Sequence, residues 1–156
     1  MYIIFGASSF IGVYTADEFL KQGEKIIVTG RNNKFKEHYD QLGVEYINVD
    51  LSDKNDFDKL PKEGVEGCIL LAGMLPANAI VNLDEDENAA DYFEVNTIGT
   101  VNVLEYCRKS GINRVISNCS YADVRGAWGK KVITEEEPRD YTYTGDHAVY
   151  VFSKNA

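Results

Sequence analysis

The chain has 156 residues and a formal net charge of −9, with 44% hydrophobic and 26% charged residues. This length and balance are typical of one globular domain. The acidic charge excludes a general nucleic-acid binder, which needs a basic face to displace counterions from phosphates. No apolar run reaches the ~18 residues of a membrane span, and no Cys or His spacing indicates a metal site. The three widely spaced cysteines favour reduced thiols, so we expect a cytoplasmic protein, and no signal-peptide pattern is seen.

Short apolar runs alternate with longer segments in which apolar residues recur at helical spacing, so strands are predicted to alternate with helices. The predicted strands are Tyr2–Phe5, Glu24–Gly30, Val44–Asp50, Gly67–Gly73 and Asn113–Ser120. The predicted helices are Phe10–Gly23, residues 34–42, a short helix after the N-cap Ser52, Glu87–Ser110 and His147–Ala156, with a loop over Tyr121–Asp146. The longest helix is predicted to carry on or near one face Phe93, Ile98, Val101, Val103, Leu104 and Cys107.

This alternation predicts an α/β fold, a doubly wound parallel sheet of the Rossmann type with helices on both faces. The strands are apolar and rich in β-branched residues, which suits burial on both faces. Because crossovers between parallel strands are right-handed, the predicted order of about five strands is 3-2-1-4-5.

The first predicted strand and helix are joined by the segment FGASSFIG, which holds Gly6 and Gly12. Glycine there permits a sharp turn, close approach of the backbone to a pyrophosphate, and tight packing of helix on strand. Small residues such as Ser8 keep the turn open. Ser9 stands where many such turns have their middle glycine, and its hydroxyl could reach a phosphate. A plain turn capped by serine is the alternative, but the position in a βαβ unit favours a dinucleotide site.

Arg31 follows the second predicted strand and lies 19 residues after Gly12. An acidic residue near this position binds the ribose of NAD, whereas a basic one accommodates the 2′-phosphate of NADP. The planar guanidinium can bind a phosphate in a bidentate manner. Arg31 therefore favours NADP over NAD, unless it is an ordinary solvated side chain.

Taken together, the motifs resemble the extended short-chain dehydrogenase/reductase family of nucleotide-sugar epimerases and dehydratases, over the N-terminal half of such an enzyme. FGASSFIG resembles the family's Gly-x-x-Gly-x-x-Gly turn, VDLSD its adenine-side segment, and LLAG its loop over the cofactor. VNTIGTVNVLEYCRKSGINRVI matches its helix through Asn96 and Thr100, while NCSYADVRG and YVFSK match its catalytic segments. The cofactor contacts that the resemblance implies are Gly6, Ser8, Ser9, Phe10, Ile11, Gly12, Arg31, Asp50, Leu51, Leu71, Ala72, Gly73 and Asn96. For Asn96, a role as a hydrogen-bonding residue inside the helix is an equal alternative.

Tyr150 and Lys154 are four positions apart and would share one face of a helix. A nearby ammonium favours the phenolate form of a tyrosine, which can then exchange a proton near neutral pH. The resemblance implies that Tyr150 is the acid–base residue, that Lys154 also binds the nicotinamide ribose, and that Ser120 binds the substrate oxygen. The family's Ser/Thr position falls on Tyr121, next to Ser120, which is a departure from the pattern.

The resemblance covers essentially residues 1–156 as one NAD(P)-binding domain, and we expect a truncated chain without the family's C-terminal substrate domain. It implies an NAD(P)-dependent epimerase, dehydratase or reductase for nucleotide sugars, inactive as this fragment. The alternative is a non-catalytic dinucleotide-binding sensor or scaffold. The uncovered fifth strand and the long helix predict self-association, as in a homodimer.

Overall fold

The computed structural model describes residues 1–75, 89–120, 124, 129, 132–139 and 148–156. The chain divides into two compact units. The first unit comprises Met1–Gly73 and Ile98–Asn118, and the second comprises Met74–Thr97 and Cys119–Ala156. The predicted loop Tyr121–Asp146 and the predicted helix start at Glu87 fall largely outside the described residues.

The first unit is built on a parallel sheet. Its strands are β1 (Tyr2–Phe5), β2 (Ile26–Gly30), β3 (Glu45–Asn48), β4 (Gly67–Leu70) and β5 (Val115–Ser117). They lie in the order β3-β2-β1-β4-β5, which confirms the predicted topology. In the centre, Ile3 of β1 is paired with Ile27 of β2 on one side and with Cys68 of β4 on the other. The register aligns the carboxyl ends of these strands, where ligands of doubly wound folds bind.

The helices are shorter and more varied than predicted. The α-helices are α1 (Phe10–Lys21), α2 (Lys36–Gln41), α3 (Ala89–Tyr92), α4 (Gly99–Lys109) and α5 (Ala148–Asn155). Short 3₁₀ helices span Asn33–Phe35 and Lys54–Lys59, and a π-helical segment spans Phe93–Ile98. No helix among the described residues is long and apolar enough to cross a membrane.

Two apolar clusters cover the two faces of the sheet. Ile3 and Phe5 of β1 belong to a cluster with Val103 and Cys107 of α4. Ile4 lies between them in sequence and belongs to the opposite cluster, with residues of α1 and α2. Alternate residues of a strand point to opposite faces, so helices lie on both faces as predicted.

Two local predictions were wrong, the cap of the helix after Ser52 and the lengths of most strands. Asp53, and not Ser52, caps the 3₁₀ helix, because its side chain accepts from the Asn55 amide. Ser52 bonds the Asp50 carboxylate instead. β1 has its predicted bounds, but the other four strands are shorter than predicted, and β5 keeps only Val115–Ser117 of Asn113–Ser120.

The predicted long helix consists of α3, the π-helical segment and α4. Its predicted apolar face is also divided, because Val103 and Cys107 are buried while others are exposed. The exposed residues are Phe93, Ile98, Val101 and Leu104, at 38%, 48%, 53% and 48%. The face of this helix that packs on the sheet is therefore narrower than the apolar face predicted from the sequence.

In the second unit, α3 and α5 contact each other. Tyr92 of α3 and Val151 of α5 are almost fully buried. An isolated helix as short as either of these is marginal in water, so this packing stabilises both.

Candidate functional site

The glycine turn between β1 and α1 needs glycine for reasons of space. Gly6 has a positive φ of 85°, and a Cβ placed there would lie under 3.0 Å from the Ala72 backbone. A Cβ on Gly12 would lie equally close to the Gly6 carbonyl oxygen. Gly6 thus lets the turn pass the chain after β4, and Gly12 lets α1 pack on the turn. The sharp turn and the tight helix packing were predicted from the sequence, whereas the approach of Ala72 to Gly6 was not, and contact with a pyrophosphate stays a prediction.

The start of α1 presents free backbone donors. Ser9 caps the helix, since its hydroxyl donates to the Gly6 carbonyl at 2.8 Å and accepts from the Gly12 amide at 3.1 Å. The amides of Phe10 and Ile11 belong to the first turn, which has no intrahelical acceptor for them. No acidic residue lies in this turn, so no side chain of the turn itself neutralises the positive end of the helix dipole. Such a helix start suits a phosphate anion.

Two tyrosines lie beneath this turn and were not predicted as site residues. Tyr39 of α2 donates its hydroxyl proton to the Ala7 carbonyl at 2.7 Å. Tyr46 of β3 donates to the Asn32 carbonyl at 2.6 Å, and its oxygen lies near the Ser8 hydroxyl. The two rings stack with centroids 5.8 Å apart. Burial raises the pKa of Tyr46, so its phenol remains a donor at neutral pH.

Arg31 directly follows β2 and is exposed. Its carbonyl accepts from the Asn48 side chain at 3.2 Å, and the next carbonyl, that of Asn32, accepts from Tyr46. The backbone of this loop is therefore held from β3, while the guanidinium faces solvent. Contact with a 2′-phosphate stays a prediction.

The segment after β4 lies against the glycine turn. The amides of Leu71 and Ala72 both donate to the Phe5 carbonyl, at 2.9 and 3.0 Å. The close approach of Ala72 to Gly6 follows from these bonds. The structure thus brings together two predicted groups that are far apart in sequence, the FGASSFIG turn and the LLAG loop.

Asp50 and Leu51 follow β3 and have structural partners. The Asp50 carboxylate accepts from the Ser52 amide and hydroxyl, and the Asp50 amide donates to Asp56 at 2.8 Å. This bond and a bond from Lys59 hold the pKa of the Asp56 carboxyl below its usual range. Leu51 has its side chain in the core. Any adenine contact by Leu51 would therefore use backbone atoms.

In the second unit, Asn96 is the centre of a hydrogen-bond network. Its amide oxygen accepts from the Met74 amide at 2.7 Å, and its nitrogen donates to the Met74 carbonyl at 3.0 Å and to the Ser153 hydroxyl at 2.9 Å. Thr97 adds a bond from its hydroxyl to the Ser153 carbonyl at 2.8 Å. Asn96 is 4% exposed and lies in the π-helical segment, a type of turn often found at functional sites. Asn96 therefore acts as a hydrogen-bonding residue inside the helix, which was one of its two predicted roles. Its contact with a cofactor stays a prediction.

Tyr150 and Lys154 both lie on α5, as predicted, and both are partly buried. At about 100° per residue, their directions from the helix axis differ by only about 40°. The buried residues Ser153 and Val151 lie on either side of this pair, and the exposed Phe152 lies opposite. Ser120 is also partly buried, whereas Tyr121 lies outside the described residues.

Among the described residues, no group of three or more His, Cys, Asp or Glu side chains could hold a metal ion.

Comparison with known proteins places this fold and turn in a family. Residues 2–156 match the model of the NAD dependent epimerase/dehydratase family. A UDP-glucose 4-epimerase of Pisum sativum is 25% identical over 130 residues, 76% of this chain and 36% of its own length. The sterol demethylase protein B of Methylococcus capsulatus is 29% identical over 123 residues, 78% of this chain and 35% of its own length.

A solved structure shares the fold. The UDP-glucose 4-epimerase of Thermus thermophilus, in complex with NAD, superposes with a TM-score of 0.73 at 23% identity. The match covers 98% of this chain and 47% of that one. The chain spans less than half the length of each of these three relatives. Since the family model covers almost the whole sequence, the chain belongs to the NAD dependent epimerase/dehydratase family.

Proposed function

We propose that the chain is the cofactor-binding part of a nucleotide-sugar epimerase or dehydratase. The observation that carries the proposal is the glycine turn, whose close packing and free helix amides suit a pyrophosphate. The printed names of the relatives support it, since two are UDP-glucose 4-epimerases. The sterol demethylase protein B shows that family membership alone does not decide the substrate.

We propose NAD as the cofactor, the molecule named with the Thermus thermophilus enzyme. The amides of Phe10, Ile11 and Gly12 would hold its pyrophosphate. The Gly12 amide, which donates to the Ser9 hydroxyl, would then donate to the phosphate instead. The chain at Leu71, Ala72 and Gly73 would line the same end of the site. NADP is the alternative cofactor, because the guanidinium of Arg31 suits a 2′-phosphate.

The proposed acid–base group is the Tyr150 phenol. It would exchange a proton with a sugar hydroxyl or carbonyl, and the ammonium of Lys154 would favour its ionised form. Ser120 would donate a hydrogen bond to the substrate oxygen. When bound, a nicotinamide cofactor supplies the hydride acceptor and donor.

Because the chain spans less than half of each relative, we propose that the 156 residues bind the cofactor without turning over a nucleotide sugar.

Titration of NADH, and separately NADPH, into the purified chain tests the proposal. Saturable enhancement of nicotinamide fluorescence is the expected result, and tighter NADPH binding would identify Arg31 as a phosphate contact. Absence of binding by both would refute the proposed cofactor site. Epimerisation of UDP-glucose by the purified chain would refute its inactivity.

A non-catalytic dinucleotide-binding module is the second candidate. It is favoured by Ser9, whose hydroxyl is used in capping α1, and by the displaced Ser120. Tyr150→Phe in a longer form of the protein separates the two candidates. An enzyme would lose turnover and keep its affinity for the cofactor, whereas a sensor or scaffold would have no turnover to lose.

A further inference from the structure

Tyr46 joins three segments of the chain that meet at the carboxyl end of the sheet. Its hydroxyl donates to the Asn32 carbonyl in the loop after β2, at 2.6 Å. The Ser8 hydroxyl of the glycine turn lies near the same oxygen, across the position of Gly30. A Cβ on Gly30 would lie under 3.0 Å from this oxygen and 3.0 Å from the Ser8 oxygen. The hydroxyls of Tyr46 and Ser8 therefore both lie beside a position where only glycine fits.

The ring of Tyr46 is fixed as firmly as its hydroxyl. Tyr46 is 7% exposed and stacks on Tyr39, with the ring centroids 5.8 Å apart and the planes at 23°. The hydroxyl consequently has little freedom to follow a movement of either the turn or the loop. A buried hydroxyl that bonds one backbone segment and lies against another is the kind of link that fixes the spacing between them.

The glycine turn does not need Tyr46 to keep its own shape. The amides of Gly6 and Ala7 both donate to the Thr29 carbonyl, at 3.1 and 3.0 Å. Tyr39 binds the Ala7 carbonyl from below, and Ser9 caps the helix. What Tyr46 adds is the link from this turn to the loop that carries Arg31.

We propose that Tyr46 is a positioning residue of the cofactor site, which holds the pyrophosphate end and the adenosine-ribose end at the spacing of a dinucleotide. The inference rests on the proposed function, since it assigns the turn to pyrophosphate and the loop after β2 to ribose. A ligand that spans both ends benefits from the fixed spacing. A ligand that occupies one end does not.

Tyr46→Phe tests this, because it removes the hydroxyl and keeps the stacked ring. We expect the affinity for NADH to fall by about five- to tenfold, the effect of one typical net hydrogen bond. Adenosine alone and inorganic pyrophosphate alone should each bind within about twofold of the original chain. The three dissociation constants are measured by following backbone amide shifts during titration.

Tyr106→Phe is the matched control. Tyr106 is a second buried tyrosine, 5% exposed, whose hydroxyl donates to the Pro61 carbonyl on the α4 face of the sheet. Its variant should bind all three ligands like the original chain. If Tyr46→Phe binds NADH as Tyr106→Phe does, or loses all three ligands alike, Tyr46 does not set the spacing. If the original chain binds no NADH, the proposed function fails and the inference fails with it.

Gly30→Ala supplies a second, independent variant. Its methyl group would displace the Tyr46 hydroxyl, so NADH binding should weaken as in Tyr46→Phe. Because both changes act on one contact, the double variant should bind NADH no more weakly than the weaker single variant. Additive losses would show that the two residues act separately and would overturn the inference.

Discussion

The Tyr39 hydroxyl donates to the Ala7 carbonyl at 2.7 Å, a contact that joins α2 to the glycine turn across 32 positions of the chain. Tyr39 is fully buried. Desolvation by burial, and after it the Asp17 carboxylate, raise the pKa of Tyr39 to about 12. Since the phenol must donate to a carbonyl, this contact requires the protonated form.

Stability should therefore fall at alkaline pH. The folded pKa of Tyr39, about 12, lies above the unfolded value of about 10, so folding retains the proton. The stabilisation is complete below about pH 10 and is lost as the pH rises towards about 12. Tyr39→Phe should cost about 1–2 kcal/mol of unfolding free energy at neutral pH and should reduce the alkaline loss. Urea denaturation at neutral and alkaline pH measures both effects.

Tyr14→Phe is the control, because Tyr14 is 64% exposed and should change neither quantity. An alkaline loss that is as steep in Tyr39→Phe as in the original chain would contradict the assignment to Tyr39.

Gly12→Ala should destabilise the protein and abolish NADH binding. The methyl group has no space beside the Gly6 carbonyl, and forcing it there costs about 1–3 kcal/mol. Gly23→Ala is the comparison, since Gly23 has a positive φ of 76° but no atom within 4 Å of an added Cβ. It should lose stability from backbone strain alone and keep its NADH affinity. Thermal unfolding measures the stability of both variants, and NADH titration measures their affinity. Equal NADH binding by the two variants would count against the glycine turn as the cofactor site.

Asn96→Ala should loosen α5. The change removes the acceptor of the Met74 amide and the bond that Asn96 donates to the Ser153 hydroxyl, at a cost of about 1–3 kcal/mol. Faster hydrogen exchange at the α5 amides, including Tyr150 and Lys154, is the expected result. Asn102→Ala removes a similar bond, from Asn102 to the Leu51 carbonyl in the first unit, and should leave α5 exchange unchanged. Unchanged exchange in Asn96→Ala would show that the network does not hold the helix.

Leu104→Glu should reduce self-association. Ile98, Val101 and Leu104 recur at helical spacing, are about half exposed, and form an apolar stripe from the start of α4. A charge in that stripe would have to be desolvated in any interface that covers it. Sedimentation at high concentration measures the effect, with Glu105→Gln on the neighbouring polar surface as the control. A monomeric original chain would refute the predicted homodimer.

The strand order was predictable because it depends on short-range signals. Apolar runs such as that of β1, and the right-handed crossover, restrict the topology to few choices. Gly6 and Gly12 were predictable because a tight strand–helix turn needs glycine at set positions. The contacts of Tyr39 and Tyr46 could not be predicted. In the sequence each tyrosine occupies an ordinary apolar position of its own element, and its hydrogen-bond partner is brought close only by the tertiary fold.

The π-helical segment escaped prediction for the same reason. Its buried polar residue, Asn96, is satisfied by Met74 and Ser153, which lie far from it in sequence. Helical periodicity alone predicted an uninterrupted helix there. It also predicted a single apolar face, because periodicity does not show how much of an apolar arc is covered by the sheet.

The central claim is that a dinucleotide binds at the glycine turn, and the direct test is an amide shift titration of the isotope-labelled chain with NAD. The account predicts saturable shifts that are largest at Phe10, Ile11 and Gly12, with smaller shifts at Ala72. Shifts confined to the opposite end of the sheet, near Tyr2 and Arg114, or no shifts at all, would contradict it.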